Sequence, residues 1–530
     1  SWHGVRCEEG HVTWLCLYNN QLSGTIPPEI GNLTSLWILE LTSNQLSGSI
    51  PPQLGKLTNL VHLYLGGIGL SGSIPPELGN LRNVNWFCLQ NNLLSGSIPK
   101  ELGNLSPEYF YLSGNRLSGN IPPELGNLKT GILFLNNNQL SGDIPPEFGN
   151  VGGWYIDLSN NQLTGSIPPG LMAEGRYILD FSNNRLSGSI PSGLATHVYE
   201  LFLGDNQFTG SIPEEFGSAS QLRVLQLGGN QLSGDIPPAL GNLTSLLWLD
   251  LSRNQLTGGI PSEITNLTGL QRSSLDYPVY TAFGYNMLTA SDPDVAAFLT
   301  GKDPDWANTQ TLPPSDLHVV GVTANSVELA WTPIIYTGDG GWYEVSYATT
   351  PGGPYTLHGK TLNKEAAGYL ADKLASDTTY YFVIRAYTPP HATPYGRQQN
   401  QLWSAYSAEV QAATLPNTPP GTNVEVALEN RTTVVFGEVT ALGNTTLVVS
   451  PQPPSPIPEP SGFCVLGVYY DIATTARYDQ SSGLDITIGY DDTGLTPEQE
   501  ESVSLLHYED GGWVNCTELR DTGANTVAGH

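Results

Sequence analysis

The sequence predicts a repeat solenoid of short parallel strands followed by two all-β sandwich domains. Three observations support this fold class: a motif of the form LSGxIP recurs along the first half, short alternating strand patterns follow it, and turn formers are abundant, with 59 Gly and 40 Pro among 530 residues. Such a composition is typical of turn-rich β structure rather than of helical bundles. A chain of this length also needs more than one hydrophobic core.

The LSGxIP motif sets the period of the first half. Its copies begin 22 to 24 residues apart, at Leu22, Leu46, Leu70, Leu94, Leu117, Leu140, Leu163, Leu186, Phe208, Leu232 and Leu256. Between copies, pairs such as Leu39 and Leu41 alternate on a short strand, so both side chains point to one side of it. One repeat cannot bury its own apolar face, whereas a stack of repeats forms a continuous core.

An asparagine follows nearly every strand of the repeats. The side-chain amide of Asn44 is suited to bond free backbone groups of the neighbouring turn. The same residue type recurs at Asn20, Asn92, Asn115, Asn138, Asn161, Asn184, Asn206, Asn230 and Asn254. Ile68 interrupts this predicted asparagine ladder.

These repeats, with Gly48, Ile50 and Pro51 as an example, resemble the plant-type leucine-rich-repeat family over about residues 20–270. The string WHGVRC, with Trp2 and Cys7, resembles the end of that family's N-terminal cap. The resemblance implies a curved solenoid used for protein, peptide or glycan recognition. We therefore expect a cap and first strand in 1–21, the solenoid in 22–275 and a C-terminal cap in 276–312.

The cap segment 291–308 has the pattern of a short amphipathic helix, with Val295, Phe298 and Leu299 on one face. Four aspartates flank that helix, namely Asp292, Asp294, Asp303 and Asp305. Their spacing is not that of a calcium-binding EF-hand loop. Capping of the helix N-terminus is the favoured interpretation, and no metal site is predicted.

Residues 313–415 change to the alternating apolar and polar pattern of a β-sandwich, as in SVELAWTP and WYEVSYAT. The segment resembles a fibronectin type III domain. Trp331 matches that family's core tryptophan, and Leu374, Thr378 and Tyr380 match its tyrosine corner. The segment 388–402 is longer than the usual loop of this family, and we expect it to carry a contact surface.

Residues 423–530 again have a strand-like pattern, interrupted by PQPPSPIPEP, and predict a second β-sandwich module. The arrangement is similar to bacterial multidomain surface proteins in which plant-like repeats precede a fibronectin-like domain. The last residues, NTVAGH, follow directly on a strand pattern, which is compatible with a truncated module.

The solvent-facing positions of the repeat strands predict a ligand-binding face, which the resemblance places on the concave side. Side chains that alternate with the leucines point away from the core. The candidate ligand-binding residues are Trp14, Tyr18, Glu40, Tyr64, Trp86, Tyr109, Tyr111, Phe134, Tyr155, Asp157, Asp180, Glu200, Phe202, Trp248 and Asp250. So many exposed aromatic side chains favour a binding site. The alternative is that the rings cover one another as cross-strand pairs.

The cysteines predict local disulfides in an oxidising compartment, between Cys7 and Cys16 and between Cys464 and Cys516. Cys88 is left over. It is either a free thiol or, as we favour, a half-buried residue that packs like a small hydrophobe. The sequence has no CxxC pair to indicate zinc.

Charge and motif content exclude several function classes. The net charge of −29 disfavours nucleic acid, and the absence of a run of 18 apolar residues argues against membrane insertion within this chain. GKT at 359–361 lacks the spacing and the helix of a phosphate-binding loop. No catalytic constellation is recognisable, so we expect a protein that is not an enzyme, has no cofactor and is secreted or displayed on the cell surface.

The favoured function is an extracellular adhesion protein whose repeats bind a protein or a glycan, with the sandwiches as spacers. A structural matrix or filament subunit that self-associates is one alternative, and a secreted inhibitor of a wall-degrading enzyme is another. Ice binding on a flat repeat face is a fourth hypothesis, which lacks a regular row of threonines.

Overall fold

The computed structural model of the protein describes residues 4–172, 175–271, 281–394, 396–428, 433–450, 469–474, 476–478, 484–489, 506–509, 512–515, 517–521 and 526–529. The chain forms two compact units. The first comprises Ser1–Leu312, Ile335–Gly341 and Ala386–Ser404, and the second comprises Pro313–Ile334, Trp342–Arg385 and Ala405–His530. Cys464 and Cys516, for which a disulfide is predicted, lie outside the described residues.

The first unit is built on one twelve-stranded sheet, called here the long sheet. Its first two strands form an antiparallel hairpin, and every later strand adds in parallel, one per repeat. The strands are Val5–Glu8, His11–Cys16, Ile38–Glu40, His62–Tyr64, Trp86–Cys88, Tyr109–Tyr111, Ile132–Phe134, Tyr155–Asp157, Ile178–Asp180, Glu200–Phe202, Val224–Gln226 and Trp248–Asp250.

The LSGxIP segments form further short parallel strands beside the long sheet. They are arranged as one pair and two five-stranded sheets. The strands are Ser23–Thr25, Gln45–Ser47, Ser71–Gly72, Leu93–Gly96, Arg116–Gly119, Gln139–Asp143, Gln162–Thr164, Ser187–Ser189, Gln207–Gly210, Gln231–Gly234, Gln255–Gly259 and Met287–Thr289.

Short 3-10 helices follow the Ile-Pro step, because proline fixes the backbone at a helix start and needs no hydrogen bond there. In most of these helices a glycine allows the next repeat to approach. A Cβ atom at Gly55 would collide with the carbonyl oxygen of Glu77. The 3-10 helices are Pro28–Asn32, Pro52–Lys56, Pro76–Asn80, Lys100–Asn104, Pro123–Asn127, Pro146–Asn150, Pro169–Met172, Glu214–Ser218, Pro238–Asn242, Ser262–Asn266 and Ala307–Thr309.

The asparagine ladder is confirmed. The amide of Asn230 donates to the carbonyl oxygens of Leu203 and Leu227, at 3.0 and 2.9 Å, and its oxygen accepts from the backbone N–H of Phe208 at 3.0 Å. At the interruption, the Asn92 oxygen accepts from the backbone N–H groups of Ile68, Gly69 and Leu70. The next asparagine along the chain thus satisfies the turn that has none of its own.

The predicted cap helix spans Pro293–Lys302, and its side chains Val295 and Leu299 are buried against the last repeat. The Asp292 carboxylate accepts from the backbone N–H of Asp294 at 2.9 Å, as expected for an N-cap. Asp303 instead accepts from the backbone N–H of Phe283 at 2.8 Å, and so ties the cap to the chain before it.

The strands after the repeats are antiparallel and form the predicted sandwich sheets. One sheet contains Ser315–Val322, Val327–Thr332 and Gly368–Ala371, and the other contains Trp342–Ala348, Thr356–Lys360, Thr379–Thr388, Leu402–Trp403 and Val410–Ala413. Trp331 is buried edge-on against Tyr343. The Tyr380 hydroxyl accepts from the backbone N–H of Ala375 at 2.9 Å, which forms the predicted tyrosine corner.

The described part of the last module is also antiparallel β structure, with Val434, Phe436 and Val439 among the residues of a small core. Its main sheet contains Gly421–Ala427, Thr433–Ala441, Arg477–Tyr478, Leu484–Gly489, Thr517–Asp521 and Thr526–Gly529. Thr445–Ser450 pairs with Tyr469–Thr474, and Leu506–Glu509 pairs with Gly512–Asn515. A separate two-stranded ribbon, His391–Thr393 with Gly396–Gln398, belongs to the first unit.

Candidate ligand-binding face of the long sheet

The strand register arranges the solvent side of the long sheet into two rows. The first row contains Trp14, Ile38, His62, Trp86, Tyr109, Ile132, Tyr155, Ile178, Glu200, Val224 and Trp248. The second row contains Cys16, Glu40, Tyr64, Cys88, Tyr111, Phe134, Asp157, Asp180, Phe202, Gln226 and Asp250. The residues between the rows, such as Leu39 and Leu63, are fully buried in the core. All predicted site residues except Tyr18 therefore lie on two adjacent lines.

Tyr18 follows its strand and is 59% exposed in the turn region. Trp14 lies at the start of the first row, where the guanidinium of Arg6 is 5.6 Å from its ring centroid. Trp248 lies at the other end of the same row.

The aromatic side chains in the middle repeats contact one another in sequence. The ring centroids of Tyr64 and Trp86 are 5.8 Å apart, and those of Trp86 and Tyr109 are 3.7 Å apart in a stacked arrangement. Tyr111 stacks on Phe134 at 5.0 Å, and Phe134 meets Tyr155 edge-on at 4.7 Å. These rings are half-buried, because neighbouring rings cover part of each surface while the remainder faces solvent.

The chain of ring contacts continues onto residues that the alternation rule misses. Trp154 lies one residue before its strand and contacts Tyr155, with centroids 6.2 Å apart. Trp154 contacts Tyr177 at 6.3 Å, and Tyr177 contacts Tyr199 at 5.3 Å. Trp154 and Tyr177 are 38% and 46% exposed. The sequence does contain a signal for these residues, because each is a bulky aromatic residue directly before a strand.

Together these rings form what we call the aromatic track, which consists of Tyr64, Trp86, Tyr109, Tyr111, Phe134, Tyr155, Trp154, Tyr177 and Tyr199. It begins in the second row at Tyr64, changes to the first row and back to the second, and ends at the positions that precede the strands. The imidazole of His62 stacks on Tyr64 at one end, with ring centroids 5.8 Å apart. At the other end, the guanidinium of Arg223 is 5.7 Å from the ring centroid of Tyr199.

The structure corrects the sequence prediction that the aspartates of the long sheet are displayed to solvent. Asp157 and Asp250 are buried, and Asp180 is half-buried, rather than displayed. Each carboxylate accepts from the backbone N–H of a serine two residues later, at 2.9 Å, and the hydroxyls of Ser182 and Ser252 also donate at 2.6 Å. The short serine side chain lets the carboxylate fold back onto its own turn.

Burial also changes the titration of these groups. It raises the pKa of the Asp180 and Asp250 carboxyls to about 6, and the pKa of Asp157 is raised in the same direction. Burial, followed by the charges of Asp157, Asp180 and Glu200, raises the pKa of the Tyr155 hydroxyl to about 12. The Tyr155 phenol is therefore a neutral hydrogen-bonding group at physiological pH.

Glu40 and Glu200 remain half-exposed on the sheet. Burial raises the pKa of Glu200, and the positive charge of Arg223 offsets part of that increase. Phe202 lies beside Asp180 in the second row. Fewer carboxylates are therefore displayed on this face than the sequence predicts.

The predicted disulfide between Cys7 and Cys16 is not formed, and both thiols are free. In the first hairpin Cys7 lies opposite Val12. Cys16 is four residues further along that strand, about 13 Å away, which is too far for a disulfide. Cys88 is also free and is buried, and burial raises the pKa of its thiol to about 12. This agrees with the prediction of a packed residue.

The segment 388–402, expected to carry a contact surface, lies within the part of the first unit that spans 386–404, and it contacts the turns of the last repeats. The Asn400 amide donates to the carbonyl oxygen of Asn230 at 2.6 Å, and the Gln398 amide donates to that of Tyr285 at 2.8 Å. Arg253, paired with Asp205, is fully buried there. The turns of the last repeats are thus in contact with a later part of the same unit.

Comparison with known proteins identifies two parts of the chain. The Leucine Rich Repeat family profile matches residues 11–33, 35–57, 59–81, 106–128, 132–151, 154–173 and 177–196, and a second leucine-rich-repeat profile matches 196–271. The Fibronectin type III domain profile matches 312–398. The chain contains leucine-rich repeats followed by a fibronectin type III domain. Domains of these two families are typically binding or scaffold modules.

Solved structures that resemble the repeat part of this chain include proteins from plants and from a bacterium. The Arabidopsis receptor kinase HAESA ectodomain, solved with a peptide hormone, is 32% identical over 57% of this chain and 55% of its own, with a TM-score of 0.49. A plant ice-binding protein is 30% identical over 49% and 79%, with a TM-score of 0.40. A leucine-rich-repeat protein of Leptospira interrogans is 27% identical over 54% and 76%, also with a TM-score of 0.40.

The matched region spans about half of the plant receptor ectodomains, 55% in the case of HAESA. No curated protein sequence matches the chain. Within the part of the chain that the structure describes, no helix is both long and apolar enough to cross a bilayer.

Proposed function

We propose that this protein is an extracellular binding and adhesion protein that recognises an extended ligand along the aromatic track. The β-sandwich modules then serve as spacers that carry the repeats. The observation that supports the proposal is the unbroken series of ring contacts from Tyr64 to Tyr199, with exposed rings at Trp154 and Tyr177. Contiguous exposed aromatic surface of this kind typically marks an interaction site.

The surrounding features suit recognition better than catalysis. The three aspartate carboxylates on the long sheet are turned back onto serines of their own turns. Asp157, Asp180 and Asp250 therefore serve the turns, while the rings provide the contact area. A domain arrangement of repeats followed by antiparallel modules also supports a secreted or surface-displayed adhesion protein.

The full chain, attached to a biosensor, tests this proposal against panels of extracellular proteins, peptides and polysaccharides. The informative variant is the double substitution Trp154→Ala and Tyr177→Ala, because both side chains are exposed and little packing is lost. Trp37→Ala is the matched control, since Trp37 occupies the same position before its strand and is 51% exposed. We expect a ligand whose binding the double variant weakens and the control preserves. Binding that is equal in all three proteins would contradict a role for the track.

A further inference from the structure

The aromatic track extends across many strands of the long sheet. Its rings alternate between the two rows from Tyr64 to Tyr155 and then continue at the positions before the strands, at Trp154, Tyr177 and Tyr199. The track crosses seven strands, from His62–Tyr64 to Glu200–Phe202, so it is about 29 Å long at about 4.8 Å per strand. A ligand that follows it crosses these strands one after another.

We infer that the occupant of this track is an uncharged polysaccharide chain. The inference rests on the proposed function and specifies the chemical class of its ligand. A pyranose ring presents one face of C–H groups that packs on an aromatic ring, and a rim of hydroxyls that hydrogen-bond outward. A repeating chain of such rings matches a repeating series of aromatic side chains, several sugar residues long.

The ring geometry supports a chain that extends over several repeats rather than one that lies on a single plane, since neighbouring ring planes are inclined by 45° and 59°. Trp154, Tyr177 and Tyr199 come from three consecutive repeats, and their centroids are 6.3 and 5.3 Å apart. Peptide ligands, in contrast, gain specificity from pockets that accept individual side chains. Half-buried rings that stack on one another provide a nearly continuous apolar surface instead.

The charge distribution favours a ligand without charge. On the two rows and the positions that precede the strands, His62 and Arg223 are the only basic side chains. Burial lowers the pKa of His62, so its imidazole is neutral at physiological pH. The Arg223 guanidinium lies at the end of the track, and the whole chain carries a net charge of −29. Acidic polymers are therefore repelled, and few counter-charges are present to overcome that repulsion.

Polar groups that suit sugar hydroxyls lie beside the rings. The Glu108 carboxylate and the Trp154 indole nitrogen both lie over Gly131, where the missing side chain leaves them room. Glu200 is half-exposed next to Tyr199. Carboxylate oxygens accept from hydroxyls, and indole and phenol groups donate to them, which is the hydrogen-bonding complement of a neutral sugar.

Affinity electrophoresis and calorimetry of the full chain test the inference. The probes are hydroxyethylcellulose, mixed-linkage β-glucan, galactomannan and dextran as uncharged polymers, with polygalacturonate and heparin as anionic ones. We expect at least one uncharged polymer to bind, with little effect of added salt. The Trp154→Ala, Tyr177→Ala double variant should bind it about tenfold more weakly, which corresponds to about 1.4 kcal/mol for the two ring contacts together. Trp37→Ala should bind like the wild type.

The outcomes separate the inference from the proposed function on which it rests. One outcome is that no uncharged polymer binds, while a protein or peptide binds and needs Trp154 and Tyr177. In that case the inference of a polysaccharide ligand is wrong, and the track remains a binding site. Tighter, salt-sensitive binding of the anionic polymers also overturns the inference. If the double variant and the wild type bind every probe with equal affinity, both the polysaccharide inference and the proposed function are wrong. Circular dichroism and thermal melting of each variant ensure that the comparison is between folded proteins.

Discussion

The Asp250 carboxylate accepts two hydrogen bonds from Ser252, from its backbone N–H at 2.9 Å and from its hydroxyl at 2.6 Å. Both bonds use Oδ1, and the buried Oδ2 has no hydrogen-bond partner among the described residues. Burial raises the pKa of this carboxyl to about 6. The folded state therefore holds a proton there over a pH range in which the unfolded chain releases it.

We expect the Asp250 charge to destabilise the fold at neutral pH. A carboxyl with a pKa raised from 3.8 to about 6 binds more protons in the folded state between those values. The free energy of unfolding consequently falls as the pH rises from about 4 to 6, by up to about 3 kcal/mol from this group. Asp250→Asn keeps an acceptor for Ser252 and removes the charge. Denaturant unfolding should show the variant to be more stable than wild type at pH 7 and similar near pH 4.

Glu214→Gln is the control for this pH series, because Glu214 is exposed on a 3-10 helix. Its unfolding curves should follow those of the wild type. If Asp250→Asn keeps the full pH dependence of the wild type, burial of that carboxylate has no energetic effect.

The asparagine ladder should contribute unequally along the repeats. Asn230 is 1% exposed and makes its hydrogen bonds without access to water. Asn230→Ala leaves buried carbonyls and an N–H group unsatisfied, so we expect a loss of about 3 kcal/mol. Asn44→Ala removes similar bonds from a half-buried turn that water reaches, and should cost about 1 kcal/mol. Equal losses, measured by denaturant unfolding, would argue against burial as the cause.

The packing of the track makes its central rings structural as well as exposed. Trp86 stacks on Tyr109 with centroids 3.7 Å apart. We expect Trp86→Ala to lower the free energy of unfolding by about 2 kcal/mol. Tyr177→Ala should cost less than about 1 kcal/mol because nearly half of that side chain is exposed. Thermal unfolding of both variants checks this order, and the reverse order would show that the edge of the track is the better packed part.

The free thiols should differ sharply in reactivity. Cys7 is exposed, whereas Cys88 is buried and its pKa is raised to about 12. Because the thiolate is the reactive form, iodoacetamide should label Cys7 in the folded protein and Cys88 only after unfolding. Peptide mass spectrometry assigns the sites. A Cys7–Cys16 disulfide in the mapped peptides would contradict the hairpin register.

The contacts of segment 386–404 should hold it against the last repeats. Asn400 is buried and joins Asn230 and Gln255 through its side chain. We expect Asn400→Ala to cost about 2 kcal/mol and to increase cleavage of the segment in limited proteolysis. The adjacent Gln401 is exposed, so Gln401→Ala should leave the cleavage rate unchanged. Equal protection in both variants would mean that other contacts hold the segment.

The repeat architecture and the asparagine ladder follow from the sequence because each rests on a period. Leu39 and its equivalents repeat every 22 to 24 residues, and each has the same neighbours in the next repeat. The fibronectin corner at Tyr380 was equally predictable, since its partner lies five residues away at Ala375. Local spacing and periodicity determine these features.

The candidate face was less predictable because it depends on contacts across strands. Counting alternate positions finds Tyr155 but misses Trp154, Tyr177 and Tyr199, which lie before their strands and meet only when the repeats stack. The burial of Asp157, Asp180 and Asp250 has a signal in retrospect, a serine two residues after each. The absence of the Cys7–Cys16 disulfide depends on the hairpin register, which spacing alone does not determine.

The close approach at Gly55, where a side chain would strike the carbonyl of Glu77, recurs at Gly31 and Gly79 against the repeats that follow them. Each of these glycines makes its close contact with the repeat that directly follows it. A whole repeat can therefore be duplicated or lost in one genetic event without creating a mismatch in the stack. The number of repeats, and with it the reach of the ligand-binding face, can evolve faster than any individual contact.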